Sequence, residues 1–259
     1  MNESSWALVT GASVGIGREF AWQYATRGYN LVLVARTASA LAELKTEIQN
    51  AFNVEVEILP ADLTNSAERL VVVERLRDAS RPVDALVNNA GLGLNQRFVS
   101  GDVEREKYML EILVTAVLEL SHAAAQGMKS RGHGEIVVVS SVASFIAGGT
   151  YSAAKAWATN FAEGLSVELQ SAGVKVMALC PGFTHTEFHQ RAGIRKADVP
   201  EFMWLDAREL VKTAMRDLDR GVVVSVPDWK YKLLVWLARH LPRRVVRNFG
   251  FKFRNKSRR

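Results

Sequence analysis

The fold of this chain is decided by a glycine-rich turn, Thr10-Gly11-Ala12-Ser13-Val14-Gly15-Ile16-Gly17. The turn follows a short apolar run, Ala7 to Thr10, and precedes a helix-like segment from Gly15 to Arg27. Glycines at this spacing allow a tight turn between strand and helix, and they let the backbone approach a pyrophosphate while the helix N-terminus faces the anion. The stretch therefore predicts a strand–turn–helix unit that binds a dinucleotide.

Strand-like and helix-like segments alternate from this turn almost to the end of the chain. Alternation of this kind is typical of a parallel sheet covered by helices. It predicts an α/β fold with a doubly wound parallel sheet in a single Rossmann-type domain. The predicted strands are residues 7–10, 30–35, 54–59, 85–88, 136–140, 174–179 and 222–226, and the two longest predicted helices are 103–128 and 151–171.

Length and composition agree with one intracellular domain. At 259 residues and 48% apolar composition the chain can bury one large core. Cys180 is the single cysteine and cannot form an internal disulfide. The start at Met1 lacks the basic and apolar run of a signal peptide, and no apolar run reaches the roughly 18 residues needed to cross a membrane. We therefore expect a cytoplasmic protein.

Positive charge is concentrated at the C-terminus. Residues 228–259 contain eleven Lys or Arg and one Asp, a net charge of +10, so the total of +6 leaves −4 for residues 1–227. We predict a dinucleotide-binding catalytic domain over 1–227, with a substrate loop at 181–205, and a basic amphipathic helical extension over 228–259. Such an extension can contact an anionic lipid surface, cover an apolar substrate pocket or dock on the body. Nucleic-acid binding is not expected, because no RNA-binding motif accompanies the basic residues.

A tyrosine and a lysine carry the chemistry that the sequence indicates. Tyr151 and Lys155 are four residues apart in Tyr-Ser-Ala-Ala-Lys. Positions i and i+4 share a helix face, so the ammonium would lie beside the phenol and lower its pKa from the usual value of about 10. A phenol tuned in this way exchanges a proton with a carbonyl or an alcohol. The alternative is a surface pair without function.

Five segments follow one another along the chain: 10–17, Asn88-Asn89-Ala90-Gly91, Ser141, Tyr151 with Lys155, and Pro181-Gly182. In the order of these motifs the chain resembles the classical short-chain dehydrogenase/reductase family, over about residues 6–227. The resemblance implies that Tyr151 is the proton donor in the reductive direction, that Lys155 tunes it and binds the nicotinamide ribose, and that Ser141 hydrogen-bonds the substrate oxygen. The family serine typically precedes the tyrosine by thirteen residues, and here the gap is ten, so Ser140 and Ser144 are alternatives to Ser141.

The resemblance also implies a set of cofactor-binding residues. The second strand ends at Arg36, where a site that prefers NAD would carry an acidic residue, so a 2′-phosphate and therefore NADP are predicted. The alternative is a solvated Arg36 without influence on the cofactor. The predicted cofactor-binding residues are Gly11, Ser13, Gly15, Ile16, Gly17, Arg36, Asp62, Asn89, Gly91, Tyr151, Lys155, Pro181 and Thr186. No metal site is expected, because the five histidines are not spaced as zinc ligands.

Leu113 is a departure from the family pattern. It stands where the family has a catalytic asparagine, whose backbone carbonyl is freed by a helix kink and holds a water leading to the lysine. Leucine favours a regular helix, so we expect the kink to be lost and the segment to be repacked.

These features predict an NADP-dependent oxidoreductase that interconverts a carbonyl and an alcohol on an apolar substrate, such as a ketoacyl chain or a steroid-like ketone. The competing hypothesis is a weakly active or non-catalytic nucleotide-binding protein held at a membrane or a partner by its basic tail. Leu113 favours the second hypothesis, and the intact Tyr151 and Lys155 favour the first. The long helices 103–128 and 151–171 resemble those that pair across family dimers, so a homo-oligomer is expected.

Overall fold

The strands form one parallel sheet. The computed structural model describes residues 5–188 and 199–247. In these residues the strands are β1 Trp6–Thr10, β2 Asn30–Ala35, β3 Val56–Pro60, β4 Val83–Asn88, β5 Gly134–Val139, β6 Val174–Leu179 and β7 Val224–Ser225. These seven strands have the order β3-β2-β1-β4-β5-β6-β7 in the sheet, and every neighbouring pair is parallel.

The helices cover both faces of this sheet. The predicted α/β fold is confirmed, with one apolar core on each face. The helices are α1 Gly15–Thr26, α2 Ala38–Ala51, α3 Ser66–Arg77, α4 Val103–Leu110, α5 Ala116–Arg131, α6 Thr150–Leu169, α7 Ala207–Asp219 and α8 Trp229–His240. One core is filled from α3, α5, α6 and α8, and the other from α1, α2 and α7.

Local sequence explains where several helices begin. The side chains of Asn65, Asp102, Asp206 and Asp228 each accept a hydrogen bond from a backbone N–H in the first turn of the helix that follows. These caps satisfy donors that the helix itself leaves free. The central strands are buried along nearly their whole length, which explains their continuous apolar character.

The long predicted helix over 103–128 is not regular. It consists of α4, a π-helical turn at Glu111–Thr115 and α5. The whole stretch Val103–Arg131 is, by length and composition alone, apolar enough to cross a membrane. Its α5 part packs on β4, β5 and α3, so in this fold it is a core helix.

The described part of the C-terminal segment is docked on the body. Tyr231 and Val235 of α8 belong to the same core as the sheet, and residues 243–247 form a further helical turn. Residues 248–259 and the segment 189–198 of the predicted substrate loop, which includes His189, lie outside the described residues.

Candidate active site

The glycine turn occupies the point where the strand order changes direction. It joins β1 to α1, and β1 lies between β2 and β4, whose following helices cover opposite faces of the sheet. Gly11 and Gly15 have φ angles of +63° and +55°, a region that other residues rarely adopt. A Cβ on Gly17 would collide with the Gly11 carbonyl oxygen and with Asn89 Nδ2. The turn thus requires glycine for both conformation and close packing, as a phosphate-binding turn does.

Thr10 and Asn89 hold this turn against the end of β4. The Thr10 hydroxyl donates to the Val87 carbonyl at 3.2 Å and accepts from the Asn89 and Ala90 N–H groups at 2.9 and 3.0 Å. The Asn89 amide donates to the carbonyls of Thr10 and Gly11 at 3.0 and 3.2 Å. Asn89, one of the predicted cofactor-binding residues, is therefore a structural partner of the glycine turn.

The segment after β6 reaches the same edge of the sheet. Thr186 lies against the glycine turn, since a Cβ on Gly15 would be 2.7 Å from Thr186 Cγ2. The Pro181 carbonyl accepts the Val142 N–H at 3.0 Å, which ties this segment to the residues after β5. Of these two residues, which the family resemblance implied, Thr186 lies at the turn and Pro181 lies beside the end of β5.

Arg36 and Asp62 are connected through a tyrosine. Arg36 Nη1 donates to the Tyr108 hydroxyl at 3.3 Å, and that hydroxyl donates to Asp62 Oδ2 at 3.3 Å. Burial raises the pKa of Asp62, but hydrogen bonds from Thr64 and Tyr108 and the Arg36 charge outweigh it, so the pKa lies below its usual value. Arg36 is exposed at the end of β2, where it can meet an anion.

The three candidate serines differ in their burial and in their partners. The Ser140 hydroxyl is buried, donates to the Lys155 carbonyl at 2.8 Å and lies 2.7 Å from the Thr159 hydroxyl, so it fixes α6 to β5. Ser144 Oγ is buried and lies by the Cys180 thiol, whose pKa it lowers. Ser141 caps the next short helix by accepting the Ala143 N–H at 3.1 Å, and its side chain lowers the pKa of Tyr151. Of these three serines, only Ser141 acts on the pKa of Tyr151 in the part of the chain that the structure describes.

Lys155 is buried beside Tyr151. Lys155 Nζ donates to the Val139 carbonyl at 2.7 Å and lies 5.9 Å from the centre of the Tyr151 ring. Burial lowers the pKa of Lys155 to about 8. The shared face expected from the i, i+4 spacing is therefore present, and the carbonyl at the end of β5 holds the ammonium in place.

The expected pKa of Tyr151 was wrong in its direction. The i, i+4 lysine led us to expect a lowered value, whereas burial raises the pKa of Tyr151 to about 12 and the Ser141 side chain opposes this only in part. The reason is that the phenolate loses more stabilisation when it is removed from water than the Ser141 side chain restores. A phenol with this pKa keeps its proton at neutral pH.

The kink expected to be lost at Leu113 is present. Leu113 lies within the π-helical turn Glu111–Thr115, in which the Ala116 N–H bonds the Glu111 carbonyl five residues earlier. Its side chain is buried with Met109 and Ala154. The expectation of a regular helix is wrong, because packing overrides the helix preference of leucine.

The wall next to Tyr151 is apolar. Tyr151 packs against the cluster around Leu113, and the Phe188 ring lies 6.1 Å from its own ring. The cluster is completed by Leu92, Leu94, Ile112 and Val114. A substrate that reaches Tyr151 from this side meets hydrocarbon surface.

The base of the substrate loop is clamped by α8. The Tyr231 hydroxyl accepts the Phe183 N–H at 3.0 Å and donates to the Met203 carbonyl at 2.6 Å. Its ring covers Gly182, where any Cβ would collide with it. The two described ends of the loop are also joined directly, since the Leu205 N–H bonds the Phe183 carbonyl at 2.8 Å.

Comparison with known proteins identifies the family. The family described as "short chain dehydrogenase" matches residues 5–196. The chain belongs to the short-chain dehydrogenase family. A short-chain dehydrogenase from Sphingobium yanoikuyae in complex with NADPH is 35% identical, with a TM-score of 0.83 over 91% of this chain and 93% of that one. The bulky-bulky ketone specific alcohol dehydrogenase from Comamonas testosteroni is 31% identical, with a TM-score of 0.79 over 92% of this chain and 93% of that one.

A third relative is a reductase by its name. The very-long-chain 3-oxoacyl-CoA reductase of Coccidioides immitis is 29% identical over 250 residues, which cover 90% of this chain and 69% of that protein. These findings establish this short-chain dehydrogenase as an oxidoreductase.

Sequence reasoning missed three residues of this short-chain dehydrogenase site. Thr10 could have been suspected from its place at the start of the turn, since its hydroxyl precedes the first glycine. No local sequence pattern marks Tyr108 or Tyr231 as a site residue. Tyr108 hydrogen-bonds Asp62, which is 46 residues away in the sequence, and Tyr231 hydrogen-bonds Phe183, which is 48 residues away.

Proposed function

We propose that this chain is an NADPH-dependent reductase that converts an apolar ketone or aldehyde to an alcohol, with Tyr151 as proton donor. The observation that carries the proposal is the convergence of Ser141, Tyr151 and Lys155 at the carboxyl end of β5. The Ser141 side chain lowers the pKa of the phenol, and the Lys155 ammonium is held 5.9 Å from the ring. Hydrogen-bond donation to the substrate oxygen stabilises the negative charge that develops when a hydride reaches the carbon.

The protonation state of Tyr151 supports the reductive direction. With its pKa raised to about 12 by burial, the phenol is protonated at neutral pH and can donate. Lys155, with a pKa lowered to about 8, is predominantly cationic at pH 7 and favours the phenolate that donation leaves behind. We assign Ser141 to the substrate oxygen, where its hydroxyl shares the developing charge.

The glycine turn fits a dinucleotide. The turn has glycine at three positions where a Cβ would collide with Gly11, Asn89 or Thr186. Gly11, Ser13, Gly15, Ile16 and Gly17 would surround the pyrophosphate, with Thr186 opposite. When bound, the reduced dinucleotide supplies the hydride.

Arg36 supports NADPH rather than NADH. No acidic residue follows β2, and the exposed guanidinium can pair with a 2′-phosphate. Tyr108 restrains Arg36 from one side, and Asp62 would lie beside the adenine. The similar chain from Sphingobium yanoikuyae, in complex with NADPH, is consistent with this preference.

The apolar cluster around Leu113 supports a hydrophobic substrate. Two relatives act, by name, on bulky ketones and on very-long-chain 3-oxoacyl-CoA. We therefore assign bulky ketones and ketoacyl thioesters as the substrate class. The retained π turn removes the main argument for a non-catalytic nucleotide-binding protein.

The test is NADPH oxidation, followed at its absorbance band, against a panel of short aldehydes, bulky aryl or steroid-like ketones and 3-ketoacyl thioesters. We expect turnover with the bulky members, and a higher kcat/KM with NADPH than with NADH. Turnover of short polar aldehydes alone would contradict the substrate class. No turnover of any member, with NADPH bound, would contradict the reductase assignment.

A further inference from the structure

The last described helix, α8, has two unlike faces. Tyr231 and Val235 are buried against the body. Trp229, Leu233 and Trp236 are exposed, and Trp229 and Trp236 expose 71% and 55% of their surface. At about 100° per residue these three side chains fall within about 60° of one another, on the side opposite Tyr231 and Val235. They form a continuous apolar ridge, which we call the α8 ridge.

Basic residues border the α8 ridge on both sides. On the helical wheel Lys230 falls on one side and Lys232 and Arg239 on the other. Arg239 lies over the Phe145 ring at 4.9 Å, and Lys230 Nζ donates to the Phe202 carbonyl at 2.7 Å. Residues 228–247 also include Arg243, Arg244 and Arg247, so this segment has six Lys or Arg against one Asp.

We propose that the α8 ridge docks this protein on an anionic lipid surface. Tryptophan and leucine on one face, bordered by long cationic side chains, is the composition of a helix that lies in the plane of a membrane interface. The aromatic rings enter the headgroup region, and the lysines and arginines meet lipid phosphates. A second copy of the chain is a poor occupant, because it would bring two segments of net charge +5 together.

Docking through α8 would act on the base of the substrate loop, which α8 contacts directly. The inner face of α8 clamps the substrate loop through Tyr231, and its outer face carries the α8 ridge. Phe202, whose carbonyl Lys230 holds, is itself exposed at the described end of the loop. The loop base would therefore be held next to the lipid boundary, from which an apolar substrate can enter. Docking itself does not depend on the proposed reductase activity.

The experiment is co-sedimentation of the full chain with vesicles of phosphatidylglycerol and phosphatidylcholine, compared with vesicles of phosphatidylcholine alone. We expect binding to the anionic vesicles only, weakened by added salt of about 0.5 M. Trp229→Gln/Trp236→Gln should weaken this binding at least about tenfold. Leu70→Gln/Val71→Gln, which removes two exposed apolar side chains on α3, is the matched control and should bind as wild type does.

Three outcomes would overturn the proposal. They are no binding of wild type to anionic vesicles, equal loss in the α3 control, and conversion of an oligomer to a monomer by the α8 variant without loss of vesicle binding. The last would identify the α8 ridge as a contact between copies of the chain. Thermal unfolding and NADPH affinity, measured on both variants, show whether each is folded. Failure of docking with NADPH oxidation intact would leave the proposed function standing.

Discussion

Replacing Leu113 by asparagine tests whether the π turn depends on the residue that the family has there. Leu113 is almost completely buried, among apolar side chains of which Met109 and Ala154 are the most enclosed. Losing its hydrocarbon contacts costs about 1.5–3 kcal/mol, and a buried amide without a partner costs about 1–3 kcal/mol. We expect Leu113→Asn to lower the free energy of unfolding by about 2.5–6 kcal/mol, and the melting temperature by at least about 5 °C for a chain of this size.

Turnover of the same variant should not rise. The helix already makes the Glu111 to Ala116 bond of a π turn with leucine in place, so the asparagine has no kink left to create. Calorimetry and steady-state NADPH oxidation on Leu113→Asn measure both quantities. Leu113→Met, which conserves volume, is the control and should lose less than about 1.5 kcal/mol. An asparagine variant that is as stable as wild type and faster would refute the reasoning.

Three further predictions concern the cofactor, the pH profile and assembly. Arg36→Asp should shift the kcat/KM ratio from NADPH toward NADH, because a carboxylate repels a 2′-phosphate and accepts from a 2′-hydroxyl; an unchanged ratio would show that Arg36 is not the selector. The reductive rate should fall above a pH of about 8, because Lys155, whose pKa is lowered by burial, loses its proton there while Tyr151 keeps its own. A rate that does not change up to pH 10 would contradict this. Light scattering at micromolar protein should give a dimer or tetramer, through α5 and α6, rather than a monomer.

The sheet and the order of its motifs could be predicted because they depend on local sequence. Strands β2 and β6 were predicted to the residue, since each is an unbroken apolar run bounded by turn residues. Strand β7 was predicted over 222–226 and covers only Val224–Ser225, because an edge strand pairs on one side only and stops where its single neighbour does.

The electrostatics and the clamps of the site could not be predicted, because they depend on burial and on distant contacts. The i, i+4 spacing placed Lys155 beside Tyr151 correctly, but the direction of the Tyr151 pKa depends on how far the phenol is removed from water. The family motif favoured Ser141 over Ser140, but the bond that ties Ser140 to α6 had no signal in the sequence. The prediction of a regular helix at Leu113 was wrong for the same reason. The helix preference of leucine is a local property, whereas the packing that maintains the π turn involves distant residues.

The measurement that tests the central claim most directly is NADPH oxidation by Tyr151→Phe with the best bulky ketone, together with NADPH affinity. The claim is that the Tyr151 hydroxyl delivers the proton to the substrate oxygen. Tyr29→Phe, which removes a hydroxyl at the amino end of β2, is the matched control. We predict that Tyr151→Phe lowers kcat by about 10²–10⁴-fold with NADPH affinity nearly unchanged, and that the control keeps full activity. A kcat for Tyr151→Phe close to that of wild type would contradict the account.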